Sequence, residues 1–117
     1  MRALLLNNYA EAALFLPPDA DLLREIYTCA QQAYVMLPWH DAIESTWGAV
    51  LAHTGRPKLA LHHLQAALAQ QDTAASKANT LAFMALAHQR LGAREEAAAC
   101  MARAVAVDSE SYVVRHL

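Results

Sequence analysis

Residues 78–108 read ANTLAFMALAHQRLGAREEAAACMARAVAVD, and this stretch decides the fold. Apolar residues recur with helical spacing on both sides of Gly92, and the stretch contains no proline. Because alanine, leucine and methionine favour helices and glycine readily takes the conformation that ends one, we expect a helix up to Gly92 and a second helix after it. The stretch therefore predicts a helical hairpin.

The hairpin pattern repeats along the chain at a fixed spacing. Gly55 lies 37 residues before Gly92, and another step of 37 reaches Pro18 in the break between the first two helical stretches. Small residues keep the same step at Ala30, Ala67 and Ala104. A fixed period of this size indicates an array of helical hairpins in which each unit buries its apolar face against its neighbours. Such arrays usually bind other proteins, so the pattern favours an interaction module over an enzyme.

Capping residues and helix breakers predict the bounds of the helices. Asp19 or Asp21 is expected to cap the second helix, Pro57 to open the fourth and Ser76 to cap the fifth. The expected ranges are about 2–16, 19–37, 40–54, 57–71, 76–91 and 94–107, followed by a short apolar segment at 112–117. The repeat divides the chain into units at about 4–40, 41–77 and 78–114, which we expect to form one domain over residues 1–117.

The charge pattern argues against nucleic acid as a partner. The chain has 9 Lys and Arg against 11 Asp and Glu, a formal net charge of −2, and no basic stripe that could follow a phosphate backbone. Only 17% of its residues are charged, while 56% are hydrophobic. This composition predicts exposed apolar area, which usually marks a partner site or a contact between copies. We therefore expect a protein or peptide client with an apolar segment, and self-association through residues 112–117 or an open groove.

Neither a membrane partner nor a secreted location is expected. The apolar run Ala3-Leu4-Leu5-Leu6 is too short for a signal peptide or a membrane span. Cys29 and Cys100 lie 71 residues apart and belong to no disulfide framework or CxxC motif, so two reduced thiols are expected. These features together predict a cytoplasmic location.

No cofactor, metal site or catalytic group is predicted. His62 and His63 are adjacent, so on a helix their side chains point about 100° apart and do not share an ion. His53 and His88 have no acidic or cysteine partner at a recognisable spacing. Both cysteines lie inside helical stretches without an adjacent base, which is unlike a catalytic nucleophile. The chain is therefore not expected to be an enzyme.

Residues 41–108 resemble tetratricopeptide repeats. The run Leu91-Gly92-Ala93-Arg94-Glu95-Glu96-Ala97 is very similar to the turn motif of that family. The marker sites of the family are matched in the third unit by Leu81, Met84, Ala85, His88, Gly92, Ala97, Met101 and Ala104, and in the second by Trp47, Gly48, Leu51, Gly55, Ala60, Leu64 and Ala67. The first unit matches weakly, with Pro18 in place of the glycine. The resemblance implies a TPR-like superhelical array of about three antiparallel helix hairpins.

The resemblance also implies a binding groove, because the first helix of each unit lines a concave surface in this family. Carried over by position, the lining residues are Asn8, Tyr9, Ala12 and Phe15 in the first unit, Ser45, Thr46, Ala49 and His53 in the second, and Asn79, Phe83, Leu86 and Arg90 in the third. Arg90 is the only positive side chain among them, so the clamp for a C-terminal carboxylate found in some members is not expected. Such a groove suits an apolar helix or an extended segment.

Three functions agree with these features. The first is a non-enzymatic protein–protein interaction module that binds an apolar helix or extended segment in the groove. The second is a small bacterial secretion chaperone for an exported subunit, since several secretion systems use tetratricopeptide proteins of this size and the alanine-rich, arginine-over-lysine composition is typical of a high-GC bacterium. The third is a regulatory or oligomerisation domain cut from a larger protein.

The two tryptophans receive different predictions. Trp47 lies at a hydrophobic site of the repeat and is expected in the core. Trp39 follows Pro38 between the first two units, where we expect it to plug the gap that the long repeat leaves. The alternative for Trp39 is an exposed anchor for a partner.

Overall fold

The computed structural model describes residues 2–16 and 19–117, and within these ranges the chain forms seven α-helices and no strands. The helices are α1 (Arg2–Ala13), α2 (Ala20–Met36), α3 (Asp41–His53), α4 (Pro57–Gln70), α5 (Ala74–Arg90), α6 (Arg94–Val107) and α7 (Tyr112–His116). The prediction of an all-α fold is confirmed.

The two glycine turns have the same geometry, 37 residues apart. Gly55 and Gly92 adopt positive φ angles of 87° and 76°, which glycine takes without a Cβ clash. The amide of Arg56 donates to the Leu51 carbonyl at 2.8 Å, and the amide of Ala93 donates to the His88 carbonyl at 2.9 Å. These bonds are those of the Schellman motif, which satisfies carbonyls that the end of a helix leaves free. The spacing seen in the sequence therefore corresponds to two equivalent helix ends.

Side-chain caps begin three of the helices. Asp19 caps α2, where its Oδ1 accepts from the amides of Asp21 and Leu22 at 2.8 and 3.1 Å. Thr73 caps α5, since its Oγ1 accepts from the amide of Ser76 at 3.2 Å. The prediction that Ser76 itself caps this helix is wrong, because the helix begins earlier, at Ala74, and Thr73 before it accepts from a free amide of its first turn. Ser111 caps α7 in the same way.

Two other predicted bounds differ from the structure. The helix α1 ends at Ala13 rather than near Leu16, and a turn follows it. Pro18, which lies in the break expected after this helix, is outside the described residues. The third helix pair begins at Ala74, four residues before the unit boundary predicted at 78.

The helices pack in pairs that also contact the next pair. The helices α1 and α2, α3 and α4, and α5 and α6 pack together, and α2 and α4 contact the following helices α3 and α5. In addition, α3 lies between α1 and α5, while α7 packs on α5 and α6. Among the described residues no contact joins α2 to α4 or α4 to α6. The odd-numbered helices thus form one layer, which we call the inner layer, and the even-numbered helices flank it.

The central position of α3 and α5 explains their burial. Every residue of 43–52 in α3 is buried, because α1, α2, α4 and α5 all pack against this helix. Trp47 is 7% exposed and belongs to the main core, as predicted. Gly48 lies where α3 crosses α4, so closely that a Cβ built on it would come within 2.6 Å of Leu64 Cγ. The absence of a side chain at position 48 is therefore what allows these two helices to approach.

The short helix α7 brings the two ends of the inner layer together. The ring of Tyr112, the first residue of α7, meets the ring of Phe15 edge to face with centroids 5.1 Å apart. The radius of gyration is 12.9 Å, close to the value of about 13 Å for a globular domain of this length. The last helix therefore contacts α5 and α6 in the same order as α5 contacts α3 and α4, and its first side chain reaches the segment that follows α1.

Trp39 does not fill the gap between the first two helix pairs. Its side chain is 67% exposed, and Val35 and Met36 nearby at the end of α2 are 73% and 41% exposed. The prediction of a plug is wrong for Trp39. Tyr27 and Tyr34 of α2 pack instead on Trp47, with ring centroids 5.1 and 6.1 Å away, and occupy the space between α2 and α3.

Candidate functional site

A concave surface lies between α7, the residues that follow α1 and the helices α5 and α6. It has a volume of about 680 Å³ and is open to solvent; we call it the apolar cleft. Its walls are Leu14, Phe15, His53, Ala85, Leu86, Gln89, Arg94, Ala97, Ala98, Met101, Tyr112, His116 and Leu117. Short alanine side chains of α5 and α6 form part of these walls, which leaves room that larger residues would fill. A cleft of this size and composition suits a bulky apolar side chain of a partner.

His53 stands at the back of the apolar cleft. Burial, together with the positive charge of Arg90, lowers the pKa of the His53 imidazole. The ring is therefore neutral at pH 7, and its buried Nε2 has no hydrogen-bond partner among the described residues. A second, smaller cleft of about 320 Å³ shares His53 and Leu14 with the first and has Arg90 in its wall.

A polar cleft lies beside the apolar cleft and shares Tyr112 with it. It consists of two hollows of about 40 and 330 Å³ that meet at Glu11 of α1. Its walls are Asn8, Glu11, Ala12, Ala42, Ser45, Thr46, Gln71, Ser76, Asn79, Phe83 and Tyr112. Tyr112 borders both clefts and therefore lies between them.

Hydrogen bonds fix the floor of the polar cleft. Ser45 Oγ and Thr80 Oγ1 are 2.8 Å apart and link α3 to α5 in the interior. The hydroxyl of Ser111 donates to Asn79 Oδ1 and also accepts from the amide of Val114. Asn79 therefore holds the start of α7 against α5, and its carbonyl oxygen is already engaged.

The residues predicted to line one groove are distributed between these clefts. Asn8, Ala12, Ser45, Thr46, Asn79 and Phe83 border the polar cleft, Phe15, His53 and Leu86 border the apolar cleft, and Arg90 borders the smaller cleft. Tyr9 borders neither and is 43% exposed on the outer side of α1, where the Glu25 carboxylate raises the pKa of its phenol. The structure thus brings most of the predicted set to the inner layer.

Several of these residues present little or no surface to a partner. Ala49 is fully buried in the core, which differs from the expectation that it faces a bound segment. Thr46 and Phe83 are each 2% exposed, and Ser45 is 5% exposed. For the three residues of α3 the reason is that packed helices lie on both sides of this helix within the inner layer.

Sequence reasoning missed the contributions of α6 and α7. Met101, Tyr112, His116 and Leu117 border the apolar cleft, and Glu11 borders the polar cleft. The position of α7 depends on contacts with α5 that are remote in sequence, such as the hydrogen bond between Ser111 and Asn79, so no local pattern indicates it. Glu11 departs from the repeat, which expects a small residue there, but this departure did not by itself indicate a site.

A second buried polar group lies away from both clefts. Glu44 Oε2 and His63 Nδ1 are 3.1 Å apart, and both side chains are almost enclosed between α3 and α4. The ring of Tyr34 meets His63 edge to face at a centroid distance of 5.1 Å. His62, the neighbour of His63, is exposed. This pair serves as a contact between helices.

The remaining candidates for chemistry are the two thiols and groups of side chains that could hold a metal ion. Burial raises the pKa of the Cys29 and Cys100 thiols, which lowers the fraction of nucleophilic thiolate. Across residues 2–16 and 19–117 no group of three or more His, Cys, Asp or Glu side chains is placed to hold a metal ion. None of the helices described is long and apolar enough to cross a membrane.

The chain was compared with models of protein families and with curated proteins. Neither comparison found a match.

Proposed function

We propose that this protein is a non-enzymatic binding module with a tetratricopeptide-like arrangement, and that it holds an apolar segment of a partner protein in the apolar cleft. Two features support the arrangement. The helices contact one another in the order expected for stacked hairpins, in which each pair packs on the next. The two Schellman turns recur at the spacing of the sequence repeat.

The apolar cleft is the observation that carries the binding proposal. Phe15, Leu86, Met101 and Tyr112 surround a hollow of about 680 Å³ without filling it. Tyr112 is 59% exposed and Leu117 is 41% exposed, so the rim offers apolar area that a partner would remove from water. The partner expected from this chemistry is a protein or peptide with one or two large apolar side chains.

The proposal is tested with a library of random twelve-residue peptides displayed on phage. The library is selected on the wild-type protein, on Ala98→Arg and on Ala102→Arg. Both alanines are exposed on α6, but only Ala98 borders the apolar cleft. Far-UV circular dichroism shows whether the two variants keep the same helical fold.

Peptides rich in aromatic and large aliphatic residues should be enriched on the wild type and on Ala102→Arg. They should be lost on Ala98→Arg, because the arginine side chain fills the hollow. Equal enrichment of these peptides on Ala98→Arg and Ala102→Arg would indicate that they bind outside the apolar cleft. No enrichment above background on any of the three proteins would refute the proposal.

The narrower hypotheses of an export chaperone and of a domain from a regulatory protein use the same cleft. Each remains a prediction, and each requires the partner segment described above. Self-association is expected through the same exposed rim of α7, since a second copy would cover Tyr112 and Leu117 as a partner does.

A further inference from the structure

We propose that the polar cleft is a binding site for a basic side chain, so that the segment bound by this protein carries a lysine or arginine close to its large apolar residue. This inference rests on the proposed function, because it names the chemistry of the same partner. Glu11 is the residue that would bind the cation, and Tyr112 is the wall that the two clefts have in common.

Glu11 is a carboxylic acid on the inner surface that no described group neutralises. Its side chain borders both hollows of the polar cleft. Within residues 2–16 and 19–117 no Lys, Arg or His side chain lies within ion-pair distance of it, and no hydrogen bond reaches its carboxyl group. Burial alone raises the pKa of the Glu11 carboxyl. The free protein therefore bears the cost of desolvating this charge without a compensating interaction.

Gln71 gives a second, independent indication. It borders the same cleft and is only 7% exposed, and its Oε1 has no hydrogen-bond partner among the described residues. A buried amide oxygen without a donor is uncommon in folded proteins. Ammonium and guanidinium groups supply several N–H donors at once, which suits a hollow lined by both a carboxylate and an amide. A carboxylate or phosphate ligand would instead bring further hydrogen-bond acceptors and negative charge to a wall that already contains the Glu11 carboxylate and the Gln71 amide oxygen.

The positions of the two clefts set the spacing of the partner residues. Glu11 lies in the last turn of α1 and Phe15 lies two residues beyond its end, and Tyr112 borders both clefts, so the two clefts are adjacent. An extended segment advances about 3.3 Å per residue, so the basic residue should stand one or two positions from the apolar residue that enters the apolar cleft. In a helical segment the same two side chains should be three or four positions apart.

The test uses peptides selected from the phage library on the wild-type protein. The sequences should show lysine or arginine enriched at the stated spacing from a large apolar residue. Synthetic copies of the selected peptides are then measured by isothermal titration calorimetry against wild type, Glu11→Gln and Glu25→Gln. Glu25 is an exposed glutamate of α2 outside both clefts, so it is the matched control.

We expect Glu11→Gln to weaken binding by about tenfold or more, as for the loss of a charge-assisted hydrogen bond, while Glu25→Gln leaves it unchanged. Replacing the basic residue of the peptide by norleucine should weaken binding to wild type by a similar factor and have little further effect on Glu11→Gln. This peptide measurement does not depend on the folding of a variant.

The outcomes separate this inference from the proposed function. Apolar peptides selected without a basic residue, or bound equally by wild type and Glu11→Gln, would overturn the cation site and leave the binding module standing. No selected peptides at all would refute the proposed function, and the cation site with it.

Discussion

At the crossing of α3 and α4, the effect of a methyl group added at position 48 should depend on Leu64. The added methyl group should destabilise the wild-type protein and stabilise a variant that lacks the leucine side chain. A Cβ at position 48 would lie 2.6 and 2.8 Å from Cγ and Cδ2 of Leu64 and 3.2 Å from the carbonyl oxygen of Ala60. Leu64 is fully buried and therefore has little room to move. We expect Gly48→Ala to cost up to about 3 kcal/mol from overpacking. Alanine is about 1 kcal/mol better than glycine inside a helix, so the net loss should be about 2 kcal/mol.

The same substitution should stabilise a protein that lacks the leucine side chain. Leu64→Ala alone should cost about 2–5 kcal/mol through lost burial and a cavity. Both of its atoms that approach position 48 most closely are then gone, so adding Gly48→Ala should recover about 1 kcal/mol. The two substitutions should thus be coupled by about 3 kcal/mol, well outside the usual additivity error.

Urea unfolding followed by far-UV circular dichroism measures the free energy of unfolding of wild type, both single variants and the double variant. An exposed helical alanine, Ala99, gives the control: Ala99→Gly should report the helix propensity alone, about 1 kcal/mol. If Gly48→Ala destabilises the protein by the same amount with and without Leu64, the close approach of the two helices is not the reason for glycine at this position.

Three further predictions concern stability. His63→Ala should lower the free energy of unfolding by about 1–3 kcal/mol in urea titrations, because it leaves Glu44 buried without a partner, whereas the exposed neighbour His62→Ala should have little effect. Glu11→Gln should raise the melting temperature at pH 7. Burial raises the folded-state pKa of this carboxyl, so its ionisation opposes folding as the pH rises through that pKa. The gain in melting temperature should disappear below about pH 4, where the carboxyl is neutral in both the folded and the unfolded state. Ala49→Arg should unfold the protein in circular dichroism, since it places a charge where the wild-type residue is fully buried; a native melting curve would contradict the covered position of α3.

Helix bounds were largely predictable because they depend on residues near one another in the chain. The glycine turns, the proline at the start of α4 and the bounds of α6 follow from local backbone preferences. The wrong choice of cap for α5 also concerns neighbouring residues. Thr73 and Ser76 are both able to cap a helix, and they differ only in which free amide their hydroxyl reaches.

The candidate site was less predictable because an alanine in a helix gives little information about which side of that helix is buried. Ala49 and Ala98 both lie within amphipathic helical stretches, yet the first is in the core and the second is exposed beside a cleft. An alanine can occupy either environment at little cost, so the helical period alone does not separate them. The same holds for Trp39, whose exposure depends on Tyr27 and Tyr34 filling the space it was expected to occupy.

The sequence by itself determined that the chain is helical, where most helices begin and end, and that two equivalent turns lie 37 residues apart. Short-range hydrogen bonds and backbone preferences decide these features, and both are encoded within a few residues. Only the tertiary structure decided that α7 packs on α5 and α6, that α3 is covered on both sides and that Glu11 borders a cleft shared with Tyr112. These features arise from contacts between residues far apart in the chain, where the burial of one helix depends on the position of all its neighbours.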